Sequence, residues 1–341
     1  MSRPPDCIQA ASKMIDEQSA KYPLHEGCLF LRHPLFLVEC SSSNLPFTMK
    51  DVSSSQQKLT SLAIYYLLCS FMSLYITSLN SGSNGNCYYI GNDHEAIMVD
   101  AGLSCRETER RMHRLGLSMT KVKALFISHE HTDHIKGITI LSKKYNLPVY
   151  ITPATQRSGN LLLQEQQAIS FLPYTPVQIG ELSITAFPKF HDAVEPHSFI
   201  ISGNAINIGV FTDIGAPCEH LIKHFQICHA AFLEANYDEV MLENGQYPYH
   251  LKKRIRGGHG HLSNKQALEL FKKHRPPFMT HLFLSHLSKD NNDPDVVLEL
   301  FQQHAGDTHI AVASRYQETP VYNISDNGKT APVRYTQMSM F

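Results

Sequence analysis

The chain has 341 residues, 43% hydrophobic and 18% charged; that is enough apolar material for one large domain or two ordinary ones, and too little charge for a disordered tail protein. Thirty basic against thirty-one acidic residues leave a net charge of -1, so no global field draws in nucleic acid or an anionic membrane, and any such binding must come from a local patch. Eight cysteines with no C-x-x-C pair argue against a zinc ribbon or a thioredoxin-type centre and fit reduced thiols in a cytoplasm, which leaves twenty histidines as the unusual feature.

Residues 1–71 carry serine clusters and no sustained period of 3.6 or 2. They are expected to be a poorly ordered extension or a segment outside the genuine product, with Met72 as the start. An uncharged run, 59–79, is long enough for a membrane span. Its serines, threonines and tyrosines, and the strand pattern at its end, argue for a soluble chain instead. From Met72 the punctuation becomes regular. Strands are expected at Leu74–Thr77, Cys87–Ile90 and Ala96–Val99, separated by Gly/Asn/Ser turns. Ser104-Cys-Arg-Glu107 reads as a capping box opening a helix that runs to Leu115 and stops at Gly116. A strand at Val122–Ile127, a helix at His134–Tyr145 and a strand at Pro148–Ile151 follow. Further strands are expected at Leu182–Phe187, Ser198–Ile201, Ala205–Phe211 and Ala230–Leu233. A helix at Asn264–His274, a strand at Phe278–Leu284 and a helix at Pro294–His304 complete the reading. Hairpins followed by strands alternating with helices imply two sheets with helices outside them.

The chemistry centres on Ser128-His-Glu-His-Thr-Asp-His134, which leaves an apolar strand and enters a helix. His129 and His131 are two residues apart on an extended loop, so their side chains point the same way and can grip one ion. Asp133 and His134, at the helix mouth, can turn toward a second. Two ions about 3.5–4 Å apart would share a hydroxide that is nucleophilic at neutral pH. More ligands must come from downstream, and His191, Asp213 and His286 each lie at the end of a strand-like run. Alone, each would more often be structural; together and in this order they are the candidate ligands.

H-x-H-x-D-H followed by a single His, an Asp and a final His resembles the metal signature of the metallo-β-lactamase fold hydrolases. That resemblance covers about residues 72–325. It implies an α+β fold, an αββα sandwich with a dinuclear site at one sheet edge. It implies His129, His131 and His191 on metal one, Asp133, His134 and His286 on metal two, and Asp213 as the bridge. Asp100 in Val-Asp-Ala-Gly matches the family's early Asp behind the ligand loop. His197 competes with His191, whose His-Asp-Ala-Val-Glu-Pro context is the more family-like. The imidazole-rich set implies two zinc ions, with manganese as the alternative. Gly260-His261-Leu-Ser-Asn264 is similar to the stretch that supplies an extra catalytic His in the tRNA 3′-end endonuclease branch, with Glu234 as its partner; that branch's preceding His is Leu233 here. A Glu-supported imidazolium would protonate the leaving oxygen of a phosphodiester.

From His191 to Asp213 is only 22 positions, with no room for a tRNA-gripping arm, and from Asp213 to His286 only 73, too few for the inserted domain of RNase J-type nucleases. Ser81-Gly-Ser-Asn-Gly-Asn86, Gly102-Leu-Ser-Cys-Arg-Glu-Thr-Glu109, Glu234-Ala-Asn-Tyr-Asp238 and Gly260-His-Leu-Ser-Asn264 resemble the compact YycJ/WalJ-type bacterial group, whose members are taken to be 5′-to-3′ exonucleases on duplex DNA. This resemblance implies a nucleic-acid substrate, DNA before RNA, with Asp133 orienting the nucleophile and accepting its proton while His261 serves as acid. Lys252, Lys253, Arg254 and Arg256 form a basic run near His261 that could hold phosphates independently of sequence. The arginines between 106 and 114 read instead as a solvated helix face. Two rivals stay open: a small-molecule hydrolase on the same cage (thioester, lactam or cyclic phosphodiester), and a non-catalytic, regulatory nucleic-acid-binding protein. No membrane partner is expected, and oligomeric state is not legible.

Overall fold

The computed structural model describes residues 73–325. The expectations for residues 1–71, and most of the uncharged run 59–79, lie outside the described residues. The end of that run falls within the first strand, and no helix among the described residues is long and apolar enough to cross a membrane.

Two seven-stranded sheets face each other. The first has the order β14 (Tyr322–Ser325), β1 (Ser73–Asn80), β2 (Cys87–Gly91), β3 (Ala96–Val99), β4 (Val122–Phe126), β5 (Val149–Tyr150), β6 (Ala168–Ile169). The second has the order β13 (His309–Val312), β12 (His281–Ser285), β11 (Ala230–Glu234), β10 (Ile206–Phe211), β9 (His197–Gly203), β8 (Leu182–Pro188), β7 (Val177–Ile179). Each sheet is antiparallel in one half and parallel in the other: β3 to β6 run parallel in the first, β10 to β13 in the second.

Alternation of apolar residues explains the layering. Tyr88, Ile90, Ile97, Val99, Ala124 and Phe126 point from the first sheet into the space between the sheets, where Phe199, Ile208, Phe232 and Phe283 meet them. Their neighbours Tyr89, Met98 and Leu125 point outward, against helices α1 (Cys105–Arg114) and α3 (Ile138–Tyr145). On the second sheet Ala231, Leu233, Leu282 and Leu284 pack outward beneath α5 (Glu219–Phe225), α8 (Asn264–His274) and α9 (Pro294–Gln302). Strands apolar on both faces must be covered on both, which yields four layers. The central rings interlock, Phe232 lying 4.8 Å from both Tyr88 and Phe283; each fully buried Phe contributes about 1.5–3 kcal/mol. The αββα sandwich expected from the sequence is the observed fold.

Four local readings need correction. The helix expected over 134–145 is broken into α2 (Thr132–Ile135) and α3 at Gly137. There the loop after β3 presses in: Gly137 N–H bonds to Ala101 O at 2.7 Å, and a Cβ on Gly137 would come within 1.9 Å of Leu103 O. Ser104 caps α1 by accepting from Glu107 N, but Glu107 pairs with Arg110 and Arg111, so only half of the capping box forms. Ala205 belongs to a turn and not to β10. It and Asn204, at φ 63° and 52°, make a two-residue hairpin loop whose twist matches its strands. β12 starts at His281 because Met279 N bonds back to Pro276 O in a turn. Short elements between the expected ones include α4 (Pro153–Ser158), α6 (Glu239–Asn244) and α7 (Tyr249–Ile255).

Candidate metal centre

The C-terminal ends of six strands deliver the polar residues to one edge. Asp100 follows β3, the loop 128–134 follows β4, His191 follows β8, Asp213 follows β10, Glu234 ends β11 and His286 follows β12. Asp100, Asp213 and His286 all sit in left-handed backbone, at φ 61°, 56° and 56°. A non-glycine residue pays of order 1–3 kcal/mol for that conformation, and such strain persists where neighbours over-determine it. Here they do: Asp100 N donates to Phe126 O, Asp213 N to the Glu234 carboxylate and His286 N to Ser81 Oγ. Gly102 lets the loop after β3 lie against the ligand loop, because a Cβ there would come within 1.6 Å of Asp133 O.

The donors form linked clusters. In each of the sets His129–His131–His191, Asp133–His134–His286 and His129–His134–Asp213, one ligand atom per residue lies within 4.8 Å of the others. A fourth such set joins Asp213 and His286 to Glu234 and His261. His131 Nδ1 lies 3.1 Å from His129 Nε2 and 3.3 Å from His191 Nε2. His134 Nε2 lies 3.2 Å from Asp213 Oδ2 and 3.5 Å from Asp133 Oδ2, and Asp213 Oδ1 lies 3.5 Å from His286 Nδ1. Asp213 Oδ2 and His286 Nε2 are buried without a formed hydrogen bond, with only ion-pair approaches from His134 Nε2 and to Asp133 Oδ2. Orphaned polar atoms at such depth are costly. A carboxylate-and-imidazole cage around them fits divalent cations, which would satisfy them.

Behind the cage the polar atoms are fully engaged. Asp100 accepts from Ser128 N and Ser128 Oγ at 2.8 Å and pairs with His134 Nδ1 at 2.7 Å, while Ser128 Oγ also meets His129 Nδ1 at 2.8 Å. One carboxylate thus fixes two imidazole rings, the usual device for setting which nitrogen faces an ion. Glu234 receives five contacts. Its Oε1 meets His261 Nδ1 and His286 Nδ1 at 2.9 Å and Asp213 N at 3.2 Å; its Oε2 accepts from Ile214 N and Leu262 N. Burial alone would raise this carboxyl, but the imidazoles of His261 and His286 hold it down at about 2. Burial drives His129 well below, and His191 down to about 4, from the ordinary imidazole value. His134 is as deeply buried, yet Asp213, Asp100 and Asp133 push it up. The nine residues Asp100, His129, His131, Asp133, His134, His191, Asp213, Glu234 and His286 are therefore gathered into one network, with His261, its side chain 22% exposed, on the rim.

Three expectations about neighbours resolve differently. His197 does not compete with His191: it lies in β9, bonds Glu195 O and packs edge-on to Phe171. The basic run lies on and just after α7 and is largely spent on internal partners. Lys252 donates to Glu243 O, Arg254 pairs with Asp192 and Arg256 with Glu243, which leaves Lys253 the most available of the four. The Arg106–Arg114 face is partly structural, since Arg111 reaches Leu79 O and Arg114 pairs with Glu318.

Sequence reading missed Asn86, whose Nδ2 lies 3.0 Å from both Asp133 Oδ2 and His134 Nε2. It missed Asn236, which donates to His286 O at 2.7 Å, and the buried Lys189, whose ammonium donates to Thr212 O beside Asp213. Asn86 closes Ser81-Gly-Ser-Asn-Gly-Asn86, and a run of small polar residues carries no chemical signal of its own.

Residues 95–286 match the family described as the Beta-lactamase superfamily domain. The chain is 34% identical over 224 residues to the exodeoxyribonuclease YycJ of Bacillus anthracis, spanning 65% of this chain and 85% of that protein. It is 30% identical over 219 residues to the exodeoxyribonuclease WalJ of Streptococcus pneumoniae serotype 2, spanning 63% and 81% respectively. Among solved structures, the metallo-β-lactamase fold protein YhfI of Bacillus subtilis superposes with a TM-score of 0.58 at 17% identity, over 74% of this chain and 99% of that one. Family match, sandwich and convergent donor clusters agree: the chain belongs to the metallo-β-lactamase superfamily and is a metal-dependent hydrolase of that fold.

Proposed function

We propose that the protein is a metal-dependent exonuclease that removes nucleotides from the 5′ end of duplex DNA. The observation that carries this reading is the His261–Glu234 pair. His261 alone among the clustered imidazoles combines a solvent-facing ring with a buried carboxylate partner, at 2.9 Å. An imidazolium so placed suits the release of a poorly departing alkoxide, as in phosphodiester cleavage. The exodeoxyribonuclease relatives support the same substrate class.

His129, His131 and His191 would hold one ion, Asp133, His134 and His286 the other, with Asp213 between them; zinc suits these donors best, and manganese is the alternative. The ions supply Lewis acidity and an activated water when bound. Asp133, held by Asn86 Nδ2 at 3.0 Å, would orient the attacking water and accept its proton. Glu234 keeps His261 oriented so that its free ring nitrogen faces the leaving oxygen and can give it a proton. Lys253, with Arg254 once released from Asp192, would hold neighbouring phosphates. The free thiols of Cys87, Cys105, Cys218 and Cys228 support a reducing, cytoplasmic setting.

The test is end-labelled duplex DNA, single-stranded DNA and RNA incubated with metal-quantified protein, with and without chelator. Chelator-sensitive, stepwise loss of nucleotides from the 5′ end of duplex DNA is expected. A protein holding two ions that cleaves none of the three would overturn the reading in favour of a small-molecule hydrolase.

A further inference from the structure

Two chain segments, 190–191 and 259–261, lie side by side at the rim and set two ring pairs next to each other. His191 and His261, with centroids 5.4 Å apart, both belong to the donor clusters. Their neighbours Phe190 and His259 meet edge to face at 5.8 Å. Phe190 is 49% exposed although it immediately precedes a cage histidine, and His259 is exposed as well. Both rings are anchored through their backbones. Phe190 O accepts from Gly215 N at 2.6 Å, and Gly215 lies so tight against the second segment that a Cβ would reach 2.3 Å from Gly258 O and 2.5 Å from His259 Cα. The aromatic edge is thus held by three crossing segments. Arg254 adds a cation to the same rim through Asp192, the residue after His191.

We propose that Phe190 and His259 form a stacking platform for an unpaired nucleobase of the DNA end, next to the phosphate that is cut. This rests on the nuclease reading above and extends it to the contact that grips the base. Every base offers a π face, so a stacking contact is tolerant of sequence, as an enzyme that degrades a strand nucleotide by nucleotide requires. A rigid, half-exposed ring supplies that contact at little entropic cost, and the nearby arginine can take the adjoining phosphate.

The chain contains no tryptophan, so Phe190→Trp places a sole indole on the platform. The metal-loaded, full-length variant is titrated with a single-stranded decadeoxynucleotide protected by phosphorothioate linkages, and with a decamer of abasic sugar-phosphates carrying the same charge. Quenching by the base-bearing decamer and little by the abasic one is expected. Phe190→Ala should weaken binding of the base-bearing decamer about 5- to 150-fold, the range of one base–aromatic stack, and leave the abasic one unchanged. A labelled decamer that binds with no change in indole emission, and with equal affinity for wild type and Phe190→Ala, would sink the platform while leaving the nuclease reading intact. Absence of DNA binding and cleavage by the wild type would overturn both.

Discussion

Strand β12 begins with one histidine and is followed at its other end by another, and the two behave in opposite ways. His281 is buried among His309, Phe283 and Tyr322, and burial, then the neighbouring His309, draws it down to about 4. His286 is buried too, but Asp213, Asp133 and Glu234 surround it and push it up to about 10. Burial acts in the same direction at both ends. What differs is the carboxylate count, and that follows from strand direction: the parallel strands β10, β11 and β12 all deliver their following residues to the same edge, where Asp213, Glu234 and His286 meet. One edge of the sandwich is built to hold cations, whereas the other uses histidine as a neutral ring in an apolar layer.

The largest effect that would break this contrast is expected from Asp213→Ala. It removes the carboxylate shared between the clusters, so metal content measured by elemental analysis should fall at both sites and activity should drop to background. Two ions retained per chain would mean that Asp213 does not join them. His261→Ala should keep the metals and lower kcat by about 10²–10⁴-fold, the usual worth of a positioned general acid; unchanged turnover would remove its acid role. Asp100→Asn leaves every candidate ligand in place but weakens the hold on His134 and Ser128. Metal affinity in a competition titration should fall by about 10–100-fold, and an unaltered affinity would show that the ring orientations do not depend on it.

The smallest effect sharpens the other edge. His281, lowered in the folded state to about 4 against about 6.5 unfolded, takes up its proton more readily when unfolded. Its contribution is therefore fully present above pH 6.5 and is lost as pH falls toward 4; the loss between pH 7.5 and 5 is about 2 kcal/mol. His281→Leu should flatten the pH dependence of urea stability by that amount without changing metal content. Equal slopes for variant and wild type would show that His281 titrates as an exposed imidazole.

The chain of strands and helices was largely legible because the strands of both sheets are short apolar runs and many of their turns are marked by Gly, Asn and Ser. The exceptions were set by contacts from afar. Gly137 splits a helix because the loop 101–103 presses on it, and nothing within 134–145 announces that approach. The donor set was legible for a different reason: ligand spacing along a loop is local geometry, so His129, His131, Asp133 and His134 announce themselves in seven residues.

What the sequence determined by itself was therefore the layered fold, the ligand loop and the residue types at the strand ends, all consequences of short-range periodicity and spacing. Only the tertiary structure decided that His191 and not His197 joins the cluster, that one carboxylate, Glu234, orients both His261 and His286, and that most of the basic run on α7 is already paired. Those choices depend on which strand ends are neighbours in space and on which charges have found partners. A buried carboxylate selects its donors by distance through the folded core, over separations of 27 and 52 residues here, and no periodicity of the chain encodes them.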